Sequence, residues 1–319
     1  MKNKNRFISR RLAPVLLAGI VLGGAGSAPA LIINPIWDAS ITGDANAATI
    51  QSSINAVIAI YQAGFSDAIT VSIKFQEVST GLGGSSTYFG TIGYGTYRAL
   101  LAADASTAND ATALAHLPVA ASNPVNGNSL VALTTANFRA LGISANPPPG
   151  NPDSTISLNT SIMNLDRSAI NPGKYDLMAV AAHEIDEALG FGSALNGLAN
   201  GDPTPTGAAW TLDLFRYDAL GNRSFNTALA TQAFFSIDGT TDLARFNQTA
   251  GGDFSDFFST GPHMPQVQDA FGTPGATPNL GIELTALDVL GYNLLAVPEP
   301  GTISIFGLGA LGLLLRRKK

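Results

Sequence analysis

One segment near the middle of the chain, residues 176–190, constrains the fold more than any other. Its apolar residues recur every three or four positions and predict a helix over 176–189, capped by Asp176 and stopped by Gly190. The apolar positions indicate that this helix is buried; they are Leu177, Val180, Ala181, Ile185 and Leu189. The helix nevertheless carries three acids beside one histidine. Because buried, unpaired carboxylates are costly, this pattern favours a bound metal ion that neutralises them.

His183 and Glu187 are the residues of this helix that best fit a metal site. They are four positions apart, so both side chains project from one face, close enough to share a cation. The chain has no cysteine, which excludes thiolate ligands, cysteine nucleophiles and disulfide bonds. Any metal ion is therefore expected to have nitrogen and oxygen ligands.

The run from His183 to Gly190 resembles the zinc metalloprotease signature His-Glu-x-x-His-x-x-Gly, in which both histidines bind zinc and the glutamate is the general base. Glu187 replaces the second histidine, and Ser193 stands where the longer metzincin signature has a third. Together with residues 212–217, this run is similar to a group of PEP-CTERM-tagged, metzincin-like zinc metalloproteases.

The resemblance implies an α+β fold: a metzincin-like or zincin-like single catalytic domain with a mixed sheet and an active-site helix. It also implies Zn²⁺ on His183 and Glu187, and peptide hydrolysis by metal-activated water with Glu184 as general base. A carboxylate is an acceptable zinc ligand. Glu187 adds negative charge, however, and is expected to weaken the acidification of the bound water.

A third metal ligand must come from elsewhere in the chain. Asp213 is the first candidate, because it lies in an otherwise apolar run just beyond a loop rich in Gly and Pro. His263 is the alternative. Each residue also has a simpler role. Asp213 would cap a helix or pair with Arg216, and His263 would be a solvated loop residue. The acidic and aromatic segment 253–258 reads as a surface turn in preference to a calcium or substrate loop, since the calcium-loop pattern is absent.

The two ends of the chain look like export signals. Residues 1–30 have a basic start, a short apolar stretch and a small-residue cleavage pattern, which predict a signal peptide. Residues 298–319 begin with Pro-Glu-Pro, continue with an apolar helix over 302–315 and end in four basic residues, which closely resembles the PEP-CTERM sorting signal. The resemblance implies an exosortase-type sorting enzyme as partner, transient membrane insertion and C-terminal processing. The alternative is a permanent C-terminal anchor.

The body of the chain, residues 31–297, is expected to form the metalloprotease-like domain. About half of the 17 basic residues lie in the two terminal segments, so the body is acidic, which argues against nucleic acid as a partner. Periodicity predicts helices over 45–63, 96–105, 134–141 and 283–291, and strands over 68–75, 155–162 and 232–237. Residues 81–85 and 146–152 read as loops, and the strand over 155–162 is expected near a sheet edge.

Two functions follow from these patterns. The first is a secreted zinc metallopeptidase that acts on peptides or proteins at the cell surface or outside the cell after processing, and is membrane-anchored before it. The second is a catalytically weak or inactive protein of the same fold that serves as an extracellular matrix or surface component, with exopolysaccharide as a partner. A binding module, in which His183 and Glu184 are only a surface pair, is a third interpretation.

Overall fold

The computed structural model describes residues 30–201 and 206–295, which contain eight α-helices and twelve β-strands. The helices are α1 Ala39–Thr42, α2 Ala47–Gly64, α3 Tyr94–Asp104, α4 Ala108–His116, α5 Thr135–Ala140, α6 Leu177–Leu189, α7 Ala194–Ala199 and α8 Ile282–Gly291. The strands are β1 Ile32–Trp37, β2 Thr70–Glu77, β3 Gly83–Thr87, β4 Phe89–Gly93, β5 Leu130–Thr134, β6 Ser154–Leu158, β7 Met163–Asn164, β8 Tyr175–Asp176, β9 Ala209–Trp210, β10 Arg216–Asp218, β11 Ala233–Phe235 and β12 Ala244–Arg245. The predicted sorting segment 298–319 and the predicted signal peptide, apart from residue 30, lie outside the described residues.

The main sheet has four strands in the order β1-β2-β6-β3. β1, β2 and β6 run parallel, and β3 pairs antiparallel with β6 at one edge of the sheet. Alternate residues of β2 are buried, namely Val71, Ile73 and Phe75, as its period-two pattern predicts. Smaller sheets join β4-β5-β9, β10-β11-β12 and β7-β8. The mixed arrangement confirms the α+β class.

Helix α6 lies in the core beside the edge of the main sheet. It begins where the Asp176 carboxylate accepts a hydrogen bond from the backbone N–H of Ala179, and Arg167 pairs with the same carboxylate at 2.6 Å. It ends at Gly190, whose φ of 152° is readily reached only by glycine. Helix α2 packs on α6, where the hydroxyl of its buried Tyr61 donates to the carbonyl of Ala182 at 2.9 Å. These contacts fix the helix that carries the candidate metal ligands.

Most predicted elements are confirmed, but the edge of the sheet differs from the prediction. Residues 81–85 were expected to form a loop, yet residues 83–87 form β3, because antiparallel pairing with β6 runs from Gly83–Leu158 to Thr87–Ser154. Strand pairing here overrides the low strand propensity of Gly and Ser. The strand over 155–162 was expected near a sheet edge, and β6 lies next to the edge strand β3. It ends earlier than predicted, at Leu158, and residues 160–162 form a 3₁₀ turn.

Candidate metal centre

Helix α6 presents His183 and Glu187 toward a cavity bordered by β3. The His183 Nε2 atom lies 3.8 Å from Glu187 Oε1, and both side chains are largely buried, at 16% and 14% exposure. One helical turn separates the two residues, as the spacing predicted. The imidazole and the carboxylate therefore lie on one face of α6 with their polar atoms close together.

Asp256 completes the cluster from a distant loop. Its Oδ2 atom lies 3.7 Å from His183 Nε2, and its side chain is 5% exposed. One ligand atom from each of His183, Glu187 and Asp256 lies within 4.8 Å of the other two. A divalent ion with bonds of about 2.0–2.2 Å to nitrogen and oxygen fits between atoms at such separations.

The three side chains are held by hydrogen bonds from outside the cluster. The carbonyl of Val267 lies 3.0 Å from His183 Nδ1 and accepts its proton, so Nε2 is the ring atom that faces the cluster. The Ser85 hydroxyl of β3 donates to Glu187 Oε2 at 2.6 Å. The Gln268 amide lies 3.1 Å from Asp256 Oδ1 and donates to it. Metal sites in proteins use supporting bonds of this kind to orient their ligands.

The electrostatics of the cluster favour a bound cation. Burial raises the pKa of Glu187, and burial together with Glu187 raises the pKa of Glu184 well above its usual range. Burial also raises the pKa of Asp256 to about 7. His183 is buried as well, which lowers its pKa, yet the surrounding carboxylates outweigh this and raise that pKa to about 10. The carboxylates that stabilise a proton on His183 would also stabilise a metal ion bound at its Nε2 atom.

A cavity of about 330 Å³ opens over the cluster. Its described lining contains six acids and no lysine or arginine; the acids are Asp176, Glu184, Glu187, Asp253, Asp256 and Asp269. Glu184 is 5% exposed, and its Oε2 atom has no hydrogen-bond partner among the described residues. Asp176 pairs with Arg167 and Asp269 with His263, but among the described residues Glu184, Glu187 and Asp256 have no lysine or arginine partner. The nitrogen and oxygen donors around these three acids suit a divalent ion.

Asp213, the first candidate for the third ligand, does not lie in this cluster. Its carboxylate is 2% exposed and accepts hydrogen bonds from Ser193 Oγ at 2.6 Å, Ala194 N at 3.0 Å and Trp210 N at 2.9 Å. The oxygen atoms are thereby directed at the first turn of α7 and at β9. Asp213 thus joins α7 to the segment 210–213, and it is Asp256, which the sequence analysis did not select, that lies beside His183 and Glu187.

His263, the alternative third ligand, is also engaged elsewhere. Its Nε2 atom lies 2.7 Å from Asp269 Oδ2, and its Nδ1 atom lies 2.9 Å from the carbonyl of Gly261. Both ring nitrogens therefore have partners outside the cluster of His183, Glu187 and Asp256. Through Asp269 the histidine borders the cavity but contributes no donor atom to the cluster.

Sequence reasoning missed Asp256 and Gln268. Asp256 lies in the segment 253–258, which was interpreted as a surface turn, whereas Asp256 is buried, its carbonyl accepts from the N–H of Asn247, and its carboxylate accepts from Gln268 in the loop before α8. The signal that points to it is the combination of acids and aromatic residues, since the aromatic rings bury the segment. Phe257 packs against Phe191 and Phe246 in the core and fixes its acidic neighbour over α6.

The chain matches the model of the PEP-CTERM protein-sorting motif over residues 296–318. This motif is recognised by exosortase-type sorting enzymes, and it indicates an exported protein with a membrane-anchored sorting signal at its C-terminus. The match confirms the predicted sorting segment. Comparison with curated proteins and with solved structures gave no significant match. Within the described residues, none of the helices combines the length and hydropathy needed to cross a bilayer, and the predicted helix 302–315 lies outside them.

Proposed function

We propose that this chain is an exported, metal-dependent peptidase of the zincin type, with a single catalytic domain over residues 31–297. In this proposal His183, Glu187 and Asp256 hold a divalent cation, with Zn²⁺ as the first candidate, and Glu184 is the general base. The observation that carries the proposal is the convergence of one imidazole and two carboxylates, within 4.8 Å of one another, in an acidic cavity that also contains Glu184.

A cation bound at this site would supply Lewis acidity, which polarises a peptide carbonyl and lowers the pKa of water. Glu184 borders the same cavity, and burial together with the nearby Glu187 raises its pKa well above its ordinary value, the direction expected of a carboxylate that exchanges protons in catalysis. We assign it the transfer of a proton from the attacking water to the leaving amine. Val267 keeps His183 in one tautomer, and Ser85 holds Glu187, so both ligands are oriented before a substrate binds.

The edge strand supports a peptide as the substrate. β3 pairs with β6 on one side only, and its Gly83, Gly84 and Ser86 are exposed. An extended peptide can add to such an edge through backbone hydrogen bonds. Glu187 also borders a second cavity of about 480 Å³ with aromatic walls from Phe89, Phe191 and Trp210, which suits a substrate side chain.

A second candidate function is a surface or matrix component that keeps the fold and binds metal without efficient hydrolysis. The observation that favours it is the ligand set, which has one histidine and two carboxylates. The added negative charge weakens the ability of the metal to acidify water. In that case the partner would be exopolysaccharide and the cation would mainly stabilise the fold.

Metal analysis and peptide hydrolysis with the purified exported protein separate these functions. We expect about one zinc per chain and cleavage of a casein-type substrate. Glu184→Gln should retain the metal but lower turnover by at least about 100-fold, the range expected for loss of a general base. Glu77→Gln is the matched control, because Glu77 lies at the end of β2 and does not line the cavity. Zinc without cleavage supports the second function, and failure to bind any divalent cation refutes both.

A further inference from the structure

Gln268 is fixed beside the candidate metal centre by its backbone. Its N–H donates to Glu283 Oε1 of α8 at 3.1 Å, and its carbonyl accepts from the N–H of Phe257 at 2.7 Å. The residue is 0% exposed. Two backbone hydrogen bonds, one to α8 and one to the segment that carries Asp256, therefore fix the position from which this buried side chain extends.

The Gln268 amide lies among the ligand atoms. Its Nε2 atom lies 3.3 Å from His183 Nε2 and 3.1 Å from Asp256 Oδ1. Because the Val267 carbonyl accepts from His183 Nδ1, Nε2 is the ring atom that faces the Gln268 amide. The amide nitrogen thus lies beside the His183 atom that a cation would use and beside one oxygen of the Asp256 carboxylate.

The oxygen atom of the Gln268 amide, Oε1, is buried and lacks a hydrogen-bond partner among the described residues. An unsatisfied buried acceptor costs about 1–3 kcal/mol. A half-turn about the last side-chain torsion exchanges the oxygen and nitrogen positions of an amide with little change in shape. After such a turn, the carbonyl oxygen lies where Nε2 now faces His183 and Asp256.

We propose that Gln268 is a fourth protein ligand of the metal, and that its amide turns to present Oε1 when the cation binds. The N–H groups cannot remain directed at a cation, whereas the carbonyl oxygen is a suitable ligand. The inference rests on the metal site of the proposed function. A carbonyl ligand adds a donor without adding charge, so the set becomes one nitrogen and three oxygens, and a five-coordinate ion would still have a position for water.

Metal titrations of the purified exported protein test this inference. Zn²⁺ and Mn²⁺ are titrated separately into wild type, Gln268→Leu, Gln268→Asn and Gln268→Glu. The Leu variant has a similar volume but no donor, and the Asn variant keeps an amide that is one methylene too short. We expect both to lose about tenfold or more in affinity, since even partners outside the coordination sphere cost roughly 10- to 100-fold. Gln268→Glu restores an oxygen ligand and should bind at least as tightly as wild type.

Gln76→Leu is the matched control. Gln76 lies on β2, away from the cavity, and its amide donates to Ser157 at 3.0 Å, so this variant makes the same chemical change without touching the cluster. Its metal affinity should equal that of wild type. If Gln268→Leu binds the cations as tightly as wild type or more tightly, the amide only competes with the metal and the inference is overturned. If Gln268→Leu does not fold, equal affinity of Gln268→Asn and wild type overturns it. Wild type that binds neither ion refutes the proposed function itself.

Discussion

Replacing Asp213 and Asp256 by alanine, one at a time, should separate fold stability from metal binding. Both residues are almost completely buried, and each lies directly beside an apolar or aromatic residue. Their surroundings differ in one respect: Asp213 receives three hydrogen bonds from its own neighbourhood, while Asp256 faces His183 and Glu187. The same substitution is therefore expected to give opposite results at the two positions.

The magnitude for Asp213 follows from its partners. Asp213→Ala leaves Ser193 Oγ and the N–H groups of Ala194 and Trp210 without an acceptor. Hydrogen bonds to a charged group contribute roughly 1.5–3 kcal/mol each. Burial raises the pKa of Asp213, so part of this gain is offset by the cost of burying the charge. We expect Asp213→Ala to lower the free energy of unfolding by about 3–5 kcal/mol, with metal affinity unchanged in the folded protein.

Asp256→Ala is expected to change the stability of the metal-free protein little and to weaken metal binding strongly. Burial raises its pKa to about 7, so its ionised form is poorly stabilised without a cation. Asp256→Ala should therefore leave the metal-free free energy of unfolding within about 1 kcal/mol of wild type. Its affinity for zinc should fall by at least about 100-fold, because a directly coordinating group is lost. The stabilisation of the fold by added zinc should disappear in parallel.

Urea unfolding with and without zinc measures both effects. Tryptophan fluorescence is a suitable signal, since Trp210 contacts Asp213 directly. Competition with a chromophoric chelator gives the zinc affinity of each folded variant. Asp213→Asn, which keeps the shape and one acceptor oxygen, serves as the control and should lose less stability than Asp213→Ala. The reasoning is refuted if folded Asp213→Ala loses zinc, or if Asp256→Ala binds zinc like wild type.

Three further predictions concern the close packing of β3 against Glu184, the carboxylate ligand Glu187, and the buried Asp67 outside the site. A Cβ at Gly83 would meet the Glu184 carboxylate, whereas a Cβ at Gly84 would meet nothing within 4 Å. Gly83→Ala should therefore lower peptide turnover about tenfold or more and leave zinc affinity unchanged. Gly84→Ala is the control and should leave turnover unchanged. Glu187→His should raise the preference for Zn²⁺ over Mn²⁺ about tenfold in competitive titrations, because imidazole suits zinc better; an unchanged ratio would show that Glu187 is not a ligand. Burial raises the pKa of Asp67 to about 6, so the stability that the protonated carboxyl contributes is lost as pH rises from about 4 to 6. In denaturant titrations, Asp67→Asn should therefore stabilise the fold by about 1–2 kcal/mol at pH 7.5 and not at pH 4. Equal effects of the substitution at both pH values would contradict this account.

Local sequence patterns predicted the helices and the first half of the site. The spacing of Ile50, Ile54 and Val57 predicted α2, and the cap at Asp176 and the stop at Gly190 predicted α6 to within a residue. In each case one helical period relates the residues that share a face, so the pattern is contained in a short window. The pair of His183 and Glu187 was predictable for the same reason. The edge strand β3 was not, because its pairing with β6 depends on residues about 70 positions away.

The remaining ligands depend on long-range packing that no local pattern encodes. Asp213 and Asp256 each lie directly beside a hydrophobic residue, and sequence alone offers no reason to prefer the second. What distinguishes them is the position of the segment 253–258, which the Phe257 ring fixes against Phe191 just beyond the end of α6. The backbone of Phe257 also binds the carbonyl of Gln268, so one short contact places both Asp256 and the amide over the helix. The site is therefore assembled by an aromatic residue that takes no part in its chemistry, and mutation of Phe257 should weaken metal binding through both groups at once.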